Sequence, residues 1–251
     1  MAKHVRHDQI LKLVAEHGYI SNEELASRCQ VTSQTIRRDL KELAQHQKIS
    51  RHHGGATNSS VSNTAYAQRA VMQLQQKQAI AQAICRNIPN ASSLFINIGT
   101  TTEEVAKELL NHSDLQIITN NLNVAKILSA KEDFDVLVAG GTMRKDGGIV
   151  GQSTEDFINQ FKVDYAILGI SGVDIDGALL DYDYREVRVS QAIIRNSRTV
   201  LLAVDHSKFG RNASIRLGNI VDAQQVFTDQ APPENIINLL TEHDVALHIC
   251  T

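Results

Sequence analysis

The chain has 251 residues, of which 42% are hydrophobic, so it can bury a sizeable core, and disorder is excluded as its main state. Aromatic residues make up only 4% and tryptophan is absent, which favours an α/β fold whose core consists of Ile, Leu, Val and Ala. The net charge of -3 alone argues against nucleic-acid binding, but residues 1–57 carry nine Lys/Arg against six Asp/Glu. This basic first segment is predicted to be a separate unit.

The cysteines and the hydropathy pattern narrow the class of protein. Cys29, Cys85 and Cys250 are odd in number, far apart and not in a CxxC pattern, which argues against a disulfide framework or a structural zinc site. No segment approaches the roughly 20 apolar residues of a membrane span, and the start, MAKHVRHDQ, has no apolar signal region. We expect a soluble cytoplasmic protein with no membrane partner, no metal and no cofactor.

Three short helices are predicted at the start of the chain. The first covers about residues 6–17. Ser21 to Glu24 has the S-x-x-E form of a capping box, so a second helix is predicted to begin at Ser21. After a short break, Thr32 is expected to cap a third helix that runs to about residue 44. This succession has the spacing of a helix-turn-helix.

The third predicted helix has one apolar face and one polar face. Ile36, Leu40 and Leu43 share helical spacing, and Asp39 is the only acid among the polar positions before Glu42. Two adjacent arginines alone indicate no more than a solvated face, but in a helix-turn-helix Gln and Arg contact base edges while Lys and Thr contact phosphates. The candidate DNA-binding residues of this helix are Ser33, Gln34, Thr35, Arg37, Arg38 and Lys41. We expect Gln34, Thr35 and one of the two arginines to reach base edges.

A β-hairpin wing is predicted after the third helix. Residues 48–51 read as a strand, and the glycines at positions 54 and 55 supply the backbone freedom of a tight turn. Arg51 is expected to face phosphate, and His52 and His53 complete the DNA-binding candidates. The two histidines could instead bind a metal or be plain turn residues, but the sequence offers no second cluster of ligands.

The next segment, TNSSVSNT at 57–64, is small and polar and is predicted to be a linker. Helical spacing over residues 66–88 predicts one long helix that ends at Pro89. The predicted domains are a winged helix-turn-helix at 1–57, a linker with the start of the connecting helix at 58–74, and an effector-sensing domain at 75–251. From Ser93 onward, apolar runs alternate with helical stretches, which predicts a mainly parallel sheet.

Polar residues follow several of the predicted strands. Asn97 to Thr102 reads N-I-G-T-T-T between a strand and a helix expected near Glu103, where backbone amides, a glycine and hydroxyl groups suit a phosphate, although a threonine-rich helix cap is the ordinary alternative. In a parallel sheet the loops at the carboxyl ends of the strands converge, but each residue singly could be a turn or cap residue. The other loops contribute Asn120, Asn121, Asn123, Gly140, Gly141, Arg144, Asp174, Asp176, Asp205 and Lys208.

These motifs together resemble the DeoR family of bacterial repressors. The resemblance lies in TSQTIRRDL at 32–40, with Arg6 and Ile10 before it and RHHGGA after it, and continues in IGTT, TNNLNVA, AGG, LGISGVD and VDHSKFGR. It implies a sensor domain similar to ribose-5-phosphate isomerase and the sugar-phosphate deaminases, with phosphate in the G-T-T loop and Glu186 and Lys208 near the polyol end. The family usually has aspartate at the position of Asn97, and asparagine keeps a hydrogen bond but loses the charge, which bears on effector affinity or selectivity.

The resemblance predicts a transcription repressor that is not an enzyme. Its effector-free form is expected to bind double-stranded operator DNA as a homodimer or homotetramer, and a small phosphate ester such as glycerol-3-phosphate is expected to weaken that binding. The candidate effector-binding residues are Gly99, Thr100, Thr101, Thr102, Asn120, Gly141, Arg144, Asp174, Glu186, Asp205 and Lys208.

Two other functions are weighed against this prediction. A sugar-phosphate isomerase or deaminase could use Glu186 or Asp174 as general base with Lys208 as electrostatic partner. No glycine-rich lysine loop of the isomerase type follows Asp176, and the N-terminal unit would have no task in such an enzyme. Redox or metal sensing has little support because the cysteines and histidines are scattered.

Overall fold

A computed structural model describes residues 3–17, 19–45, 48–52, 55–58 and 64–250. Contacts divide the chain into two compact units, Met1–Gln68 and Arg69–Thr251. The division falls within the segment that the sequence predicts to be the linker and the start of the connecting helix. Each unit has a hydrophobic core of its own.

The N-terminal unit is a winged helix-turn-helix. Its elements are helix α1 (Lys3–His17), strand β1 (Tyr19–Ser21), helices α2 (Asn22–Cys29) and α3 (Ser33–Gln45), and strands β2 (Ile49–His52) and β3 (Gly55–Asn58). The three strands form an antiparallel sheet in the order β1-β3-β2. The predicted wing is therefore present, and β1 adds a strand that the sequence analysis missed. Thr57 and Asn58 belong to β3 rather than to the linker, because both pair with β2.

Both predicted caps hold the helices where the sequence places them. The Ser21 hydroxyl accepts a hydrogen bond of 3.1 Å from the Glu24 amide, and the Thr32 hydroxyl accepts one of 3.2 Å from the Thr35 amide. Helix α2 begins one residue after Ser21, because an N-cap residue itself has extended backbone angles. Between the two helices, Gln30 has a left-handed backbone with φ of 54°, which forms the turn.

The core of the N-terminal unit contains the apolar face of α3. Ile36, Leu40 and Leu43 are buried there, as predicted, together with Ile10 of α1. Asp39 corrects the sequence analysis, which placed it on the polar face. Its side chain is 2% exposed, because Arg6 of α1 neutralises the carboxylate.

The predicted long helix over 66–88 is wrong. The segment forms two helices, α4 (Thr64–Val71) and α5 (Leu74–Cys85). Gln73 separates them with a left-handed backbone, φ of 53° and ψ of 35°, which a straight helix cannot contain. Because Gln73 is neither glycine nor next to a proline, nothing in the local sequence signals the break.

The C-terminal unit is built on one large sheet. Its strands are β4 (Ser93–Ile96), β5 (Gln116–Thr119), β6 (Asp135–Val138), β9 (Val163–Gly169), β12 (Ser197–Ala203), β14 (Gln225–Thr228) and β15 (Ala246–Ile249). They lie in the order β15-β14-β12-β9-β4-β5-β6, and every neighbouring pair is parallel. The predicted mainly parallel α/β sheet is confirmed.

Helices cover both faces of this sheet. They are α5, α6 (Thr100–Leu109), α7 (Leu122–Leu128), α8 (Gln152–Ile158), α9 (Tyr184–Arg195) and α10 (Glu234–Glu242). Alternate strand residues contribute to separate cores: Leu94 packs with α5, α6 and α7, whereas Phe95 packs with α8, α9 and α10. None of the described helices has the length and apolarity that crossing a lipid bilayer requires.

Two small antiparallel sheets lie beside the large one. They contain β7 (Thr142–Met143) with β8 (Ile149–Val150), and β10 (Gly172–Val173) with β11 (Ala178–Asp181) and β13 (Ile215–Asn219). The sequence analysis expected Asp174 at the end of a parallel strand. The parallel strand ends at Gly169 instead, and Asp174 lies in the turn of the β10–β11 hairpin, where its amide donates to the Ala178 carbonyl.

The order of the strands locates a crevice in the C-terminal unit. From β4 the chain builds outward through β5 and β6, and then returns to place β9 on the other side of β4. The loops that follow β4 and β9 therefore diverge, and such a switch point opens a crevice at the carboxyl ends of the strands. This is the edge where the sequence predicts the effector site.

Candidate functional site

Four polar side chains form the exposed surface of α3. Gln34, Arg37, Arg38 and Lys41 are spaced so that they share one side of the helix, and all four are exposed. None of them makes a hydrogen bond or an ion pair with another residue of the described chain, so their donors and charges are available to a ligand. Ser33 and Thr35 lie beside them and are half-buried.

A buried ion pair supports this surface from behind. The Asp39 carboxylate accepts from Arg6 Nε at 2.6 Å and Arg6 Nη2 at 3.2 Å, and His7 Nε2 lies 3.2 Å from the same group. Burial would raise the pKa of Asp39, but hydrogen bonds from Arg6 and His7 outweigh burial and lower it. The acid that follows the two arginines is thus neutralised by α1, and α3 presents cations outward.

The wing is described through its backbone. Arg51 pairs with Ala56 and His52 with Gly55 across the hairpin. His53 lies outside the described residues. The role of Arg51, His52 and His53 at DNA stays a prediction.

Asn97 ties the two sides of the switch point together. Its Nδ2 donates to the Gly169 carbonyl at 3.0 Å, and its Oδ1 accepts from the Gly169 amide at 2.8 Å. Nδ2 also lies 3.5 Å from the Ser190 hydroxyl of α9. An ionised aspartate could not donate to the carbonyl, so this pair of hydrogen bonds suits the neutral side chain of asparagine.

The G-T-T-T segment forms the turn into α6, which begins at Thr100, earlier than the Glu103 that the sequence predicts. The Thr102 hydroxyl lies 2.9 Å from the Asn97 carbonyl and 2.8 Å from the Gly99 carbonyl, and so fixes the loop. Within the described chain the hydroxyls of Thr100 and Thr101 have no hydrogen-bond partner. They stand with the free amides of the first helical turn, which together favour an anion.

The loop after β5 adds an asparagine cluster. Asn120 is buried and donates to the Ile149 carbonyl at 2.9 Å, while its Oδ1 has no partner among the described residues. The side-chain Nδ2 atoms of Asn121 and Asn123 donate to Glu103 Oε1 at 3.2 Å and 3.0 Å. This cluster joins the start of α6 to the β7–β8 hairpin.

Arg144 is the centre of an ion-pair network. Its guanidinium donates to Asp146, with Nε 3.1 Å from Oδ1, and also to Glu186 of α9. Asp183 lies 3.5 Å from the same guanidinium. Burial alone would lower the pKa of Arg144, but Glu186 and Asp146 raise it further above its usual range, so the residue stays charged.

The buried carboxyl group of Glu186 has a raised pKa. Burial, and next the carboxylate of Asp181, raise its pKa to about 8, although Arg144 acts in the opposite direction. Burial likewise raises the pKa of Asp181, whose Oδ2 accepts from the Ser171 hydroxyl at 3.2 Å. Two buried carboxyl groups near one guanidinium cannot both ionise cheaply, so the pair supplies a proton donor as well as acceptors.

The loop after β12 brings in a cation. Asp205 is buried and accepts from the Ser207 amide at 3.1 Å. Lys208 is half-buried and forms no ion pair within the described chain. Burial, and next the charge of Arg211, lower its pKa to about 8, and the nearby Asp205 raises it. A partly uncompensated ammonium of this kind favours an anionic ligand.

Two predicted effector residues have other structural tasks. Gly141 has φ of 150°, and a Cβ there would lie 2.1 Å from the Thr154 hydroxyl, so its turn requires glycine whether or not it touches an effector. Asp174 is exposed, and its Oδ1 accepts from the Ile175 amide at 2.8 Å. The carboxylate of Asp174 thus has a local role in the hairpin turn.

Comparison with known proteins decides the family. The DeoR-like helix-turn-helix domain matches residues 6–61, and the DeoR C terminal sensor domain matches residues 72–230. The chain belongs to the DeoR family. The predicted resemblance is confirmed over both units.

Named DeoR-type relatives resemble the chain over its whole length. The "Glycerol-3-phosphate regulon repressor" of Escherichia coli (strain K12) is 54% identical over 247 residues, which cover 98% of each chain. The protein of the same name from Haemophilus influenzae is 51% identical over 251 residues, which cover 100% of this chain and 98% of that one. This DeoR-family chain is a transcription regulator rather than an enzyme.

Among solved structures, a ribose 5-phosphate isomerase A from Methanocaldococcus jannaschii aligns with 55% of this chain and 55% of its own, at 14% identity and a TM-score of 0.40.

Several residues of the DeoR sensor unit that contact or influence the predicted site were missed from sequence. They are Arg69, Lys77, Asp146, Asp181 and Ser171. Asp146 could have been found, because it lies two residues after Arg144 in a short polar turn. The other four depend on contacts between distant parts of the chain, and no local pattern signals them.

Proposed function

We propose that this chain is the repressor of a glycerol-3-phosphate or related sugar-phosphate regulon, released from operator DNA by the phosphorylated effector. One observation carries the proposal. The exposed side of α3 has four polar side chains that form no ion pair within the described residues, and the same chain has a crevice that combines a helix N-terminus with the ammonium group of Lys208. The first suits a polyanionic groove, and the second suits a small anion.

On DNA, α3 would lie in the major groove. Gln34, Thr35 and Arg37 or Arg38 would reach base edges, and Lys41 with Ser33 would hold phosphates. The wing, with Arg51, His52 and His53, would contact the neighbouring backbone. A DNA-bound regulator of this kind would act in the cytoplasm.

In the crevice, the phosphate of the effector would bind the amides and hydroxyls of Thr100 and Thr101 next to Gly99. The hydroxyl groups of the effector would face Glu186, Asp205 and Asn120. The Oδ1 atom of Asn120 is a free acceptor within the described chain. Lys208 and Arg144 would supply positive charge, and Thr102, Gly141 and Asp174 would shape the surrounding loops.

Relief of repression requires that the effector favour the state with weaker DNA binding. Couplings of this kind are typically about 1 to 3 kcal/mol, or about 5- to 150-fold in affinity. Each chain has one recognition helix, and helix-turn-helix proteins bind paired half-sites about one helical turn apart, so we propose a homodimer or homotetramer.

The test is a titration of labelled operator DNA with the full chain, followed by fluorescence anisotropy, with and without glycerol-3-phosphate. We expect the ester to lower operator affinity by about 5- to 150-fold. An operator affinity that no phosphorylated metabolite of three to six carbons changes would overturn the proposal. Sizing chromatography at micromolar concentration checks the assembly, and a monomeric peak would contradict it.

A further inference from the structure

Lys77 is a buried cation that the proposed site does not use. It lies in the first half of α5, and its side chain has only 4% exposure. Asp205, at the end of β12, and Glu103, in the first turn of α6, both act electrostatically on its ammonium group. The next residue of α5, Gln78, lies 3.4 Å from Glu104 in the first half of α6, so Lys77 lies beside the helix that begins at the G-T-T-T segment.

The ammonium group of Lys77 has a neutral partner. Nζ donates to the backbone carbonyl of Arg69 in the last turn of α4. No carboxylate oxygen of the described chain lies within ion-pair distance of it. Burial accordingly lowers the pKa of Lys77, and the charge of Arg69 lowers it further. A buried ammonium group that donates to a neutral carbonyl exchanges this partner readily for an anion. The reason is that a hydrogen bond from an ammonium group to an anion is stronger than one to a neutral carbonyl.

A second ammonium lies close by. Lys77 and Arg69 both lower the pKa of Lys208, which also forms no ion pair within the described chain. Three cations thus share one region, with the carboxylate of Asp205 among them. Their mutual repulsion is relieved when a dianionic phosphate enters, since phosphate esters carry about -1.5 to -2 charges at pH 7.

Arg69 is held by its side chain as well as by its carbonyl. Its guanidinium lies 3.6 Å from Asp146, the same carboxylate that pairs with Arg144. Arg144 in turn contacts Glu186. Arg69, in the last turn of α4, therefore has two contacts with this region. Its carbonyl accepts from the Lys77 ammonium, and its guanidinium pairs with Asp146.

We propose that Lys77 is an effector-binding residue, and that its ammonium group moves from the Arg69 carbonyl to the phosphate of the effector when the site is occupied. This inference rests on the proposed effector function of the crevice. It adds a ligand contact from α5, and it connects occupancy of the site with the end of α4, the helix that reaches back to residue 64.

The experiment compares Lys77→Met with Lys107→Met in the full-length chain. Both variants lose one lysine charge, and Lys107 lies on the neighbouring helix α6, where it is half-exposed and paired with Glu104. Isothermal titration with glycerol-3-phosphate and with inorganic phosphate gives the affinities. We expect Lys77→Met to weaken binding at least tenfold, Lys107→Met to change it less than twofold, and Lys77→Arg to restore part of the loss.

A purely structural role for Lys77 predicts a different result. In that case Lys77→Met would lower the melting temperature of the ligand-free chain but leave the affinity for glycerol-3-phosphate within twofold of the unchanged chain, which would overturn the inference alone. Failure of the unchanged chain to bind any phosphate ester would overturn the proposed function and the inference together. Hydrogen exchange at residues 70–76 provides the second readout, because an effector-dependent change there should disappear in Lys77→Met at saturating effector.

Discussion

Arg6 of α1 donates hydrogen bonds to both carboxylate oxygens of Asp39, on the side of α3 opposite to Arg37 and Arg38. Helix α3 is thereby held by α1. Because the pair is buried behind the exposed polar side chains of α3, it sets the orientation of that surface.

Arg6→Ala is predicted to destabilise the N-terminal unit by about 2 kcal/mol, because it leaves the buried charge of Asp39 without its main partner. Urea unfolding followed by circular dichroism measures the change. Arg28→Ala is the matched control, since Arg28 pairs with Glu24 on the surface at 2.8 Å, and such pairs contribute about 0.5 kcal/mol. Equal effects of the two substitutions would show that the pair does not hold α3.

The same pair predicts a dependence on pH. The pKa of Asp39 lies below that of a free aspartate, which is about 3.9. Its contribution to stability is therefore complete above pH 4 or so, and is lost as the pH falls through the lower pKa of the folded state. In Asp39→Asn, this part of the acid transition should be absent.

Arg37→Ala combined with Arg38→Ala is predicted to reduce operator affinity strongly while leaving stability unchanged, because both side chains are exposed and neither forms a hydrogen bond or an ion pair with another described residue. Each lost base contact removes about 1 to 3 kcal/mol of discrimination, and each lost phosphate contact flattens the salt dependence of binding. Anisotropy at several salt concentrations measures both. Arg198→Ala, on the exposed surface of the other unit, controls for the loss of charge, and unchanged promoter occupancy in the double variant would reject the DNA-binding surface.

Asn97→Asp is predicted to make the stability of the C-terminal unit depend on pH. The new carboxyl group would have to keep a proton to donate to the Gly169 carbonyl, so its pKa would rise in the folded state. The variant then loses stability as the pH rises above the pKa of a free aspartate. The loss is expected to reach about 1 to 3 kcal/mol at neutral pH. Thermal melts between pH 4 and 8 measure this, and parallel curves for the variant and the unchanged chain would refute the role of Asn97.

Affinity for glycerol-3-phosphate is predicted to rise up to about pH 7, because the second pKa of a phosphate ester is about 6, and to fall above pH 8. Burial, and next the charge of Arg211, lower the pKa of Lys208 to about 8, so the ammonium loses its proton as the pH rises, while the phosphate is already dianionic. Deprotonation of Glu186 in the same range adds repulsion.

Two substitutions separate these contributions to effector binding. Lys208→Arg removes the titration of the lysine, and Glu186→Gln removes that of the carboxyl group, so each should make the fall less steep. Lys126→Arg, at an exposed position, should leave the profile unchanged. A profile that neither site variant alters would place the titrating group elsewhere.

Local patterns predicted much of this fold. Ser21 and Thr32 were identified as caps because a capping side chain bonds an amide three residues away, within the span of the motif. The seven strands of the large sheet are predictable because each one is a short apolar run, and their parallel arrangement follows from the helices between them. The G-T-T segment is likewise predicted to be the turn into a helix because an apolar strand precedes it and a helical stretch follows it.

The errors share one physical cause, which is dependence on distant residues. Asp39 looked exposed because its partner lies 33 positions earlier. Lys77 looked like an ordinary helix residue because its burial depends on loops that the chain forms much later. Gln73 breaks the long helix with a strained backbone that only packing can impose. The sequence therefore predicts single residues at the carboxyl edge of the sheet but not the network of charges that connects them.

The adjacency of β4 and β9 has a consequence for the order in which the molecule assembles. Ser93 and Asp164 bond to each other across these strands although 71 positions separate them. During synthesis, β4 must remain without its central neighbour while about that many residues emerge, and distant pairings of this kind slow folding. The small unit at the front, closed by contacts within the first 58 residues, can be complete on the ribosome before the sheet has its middle strand.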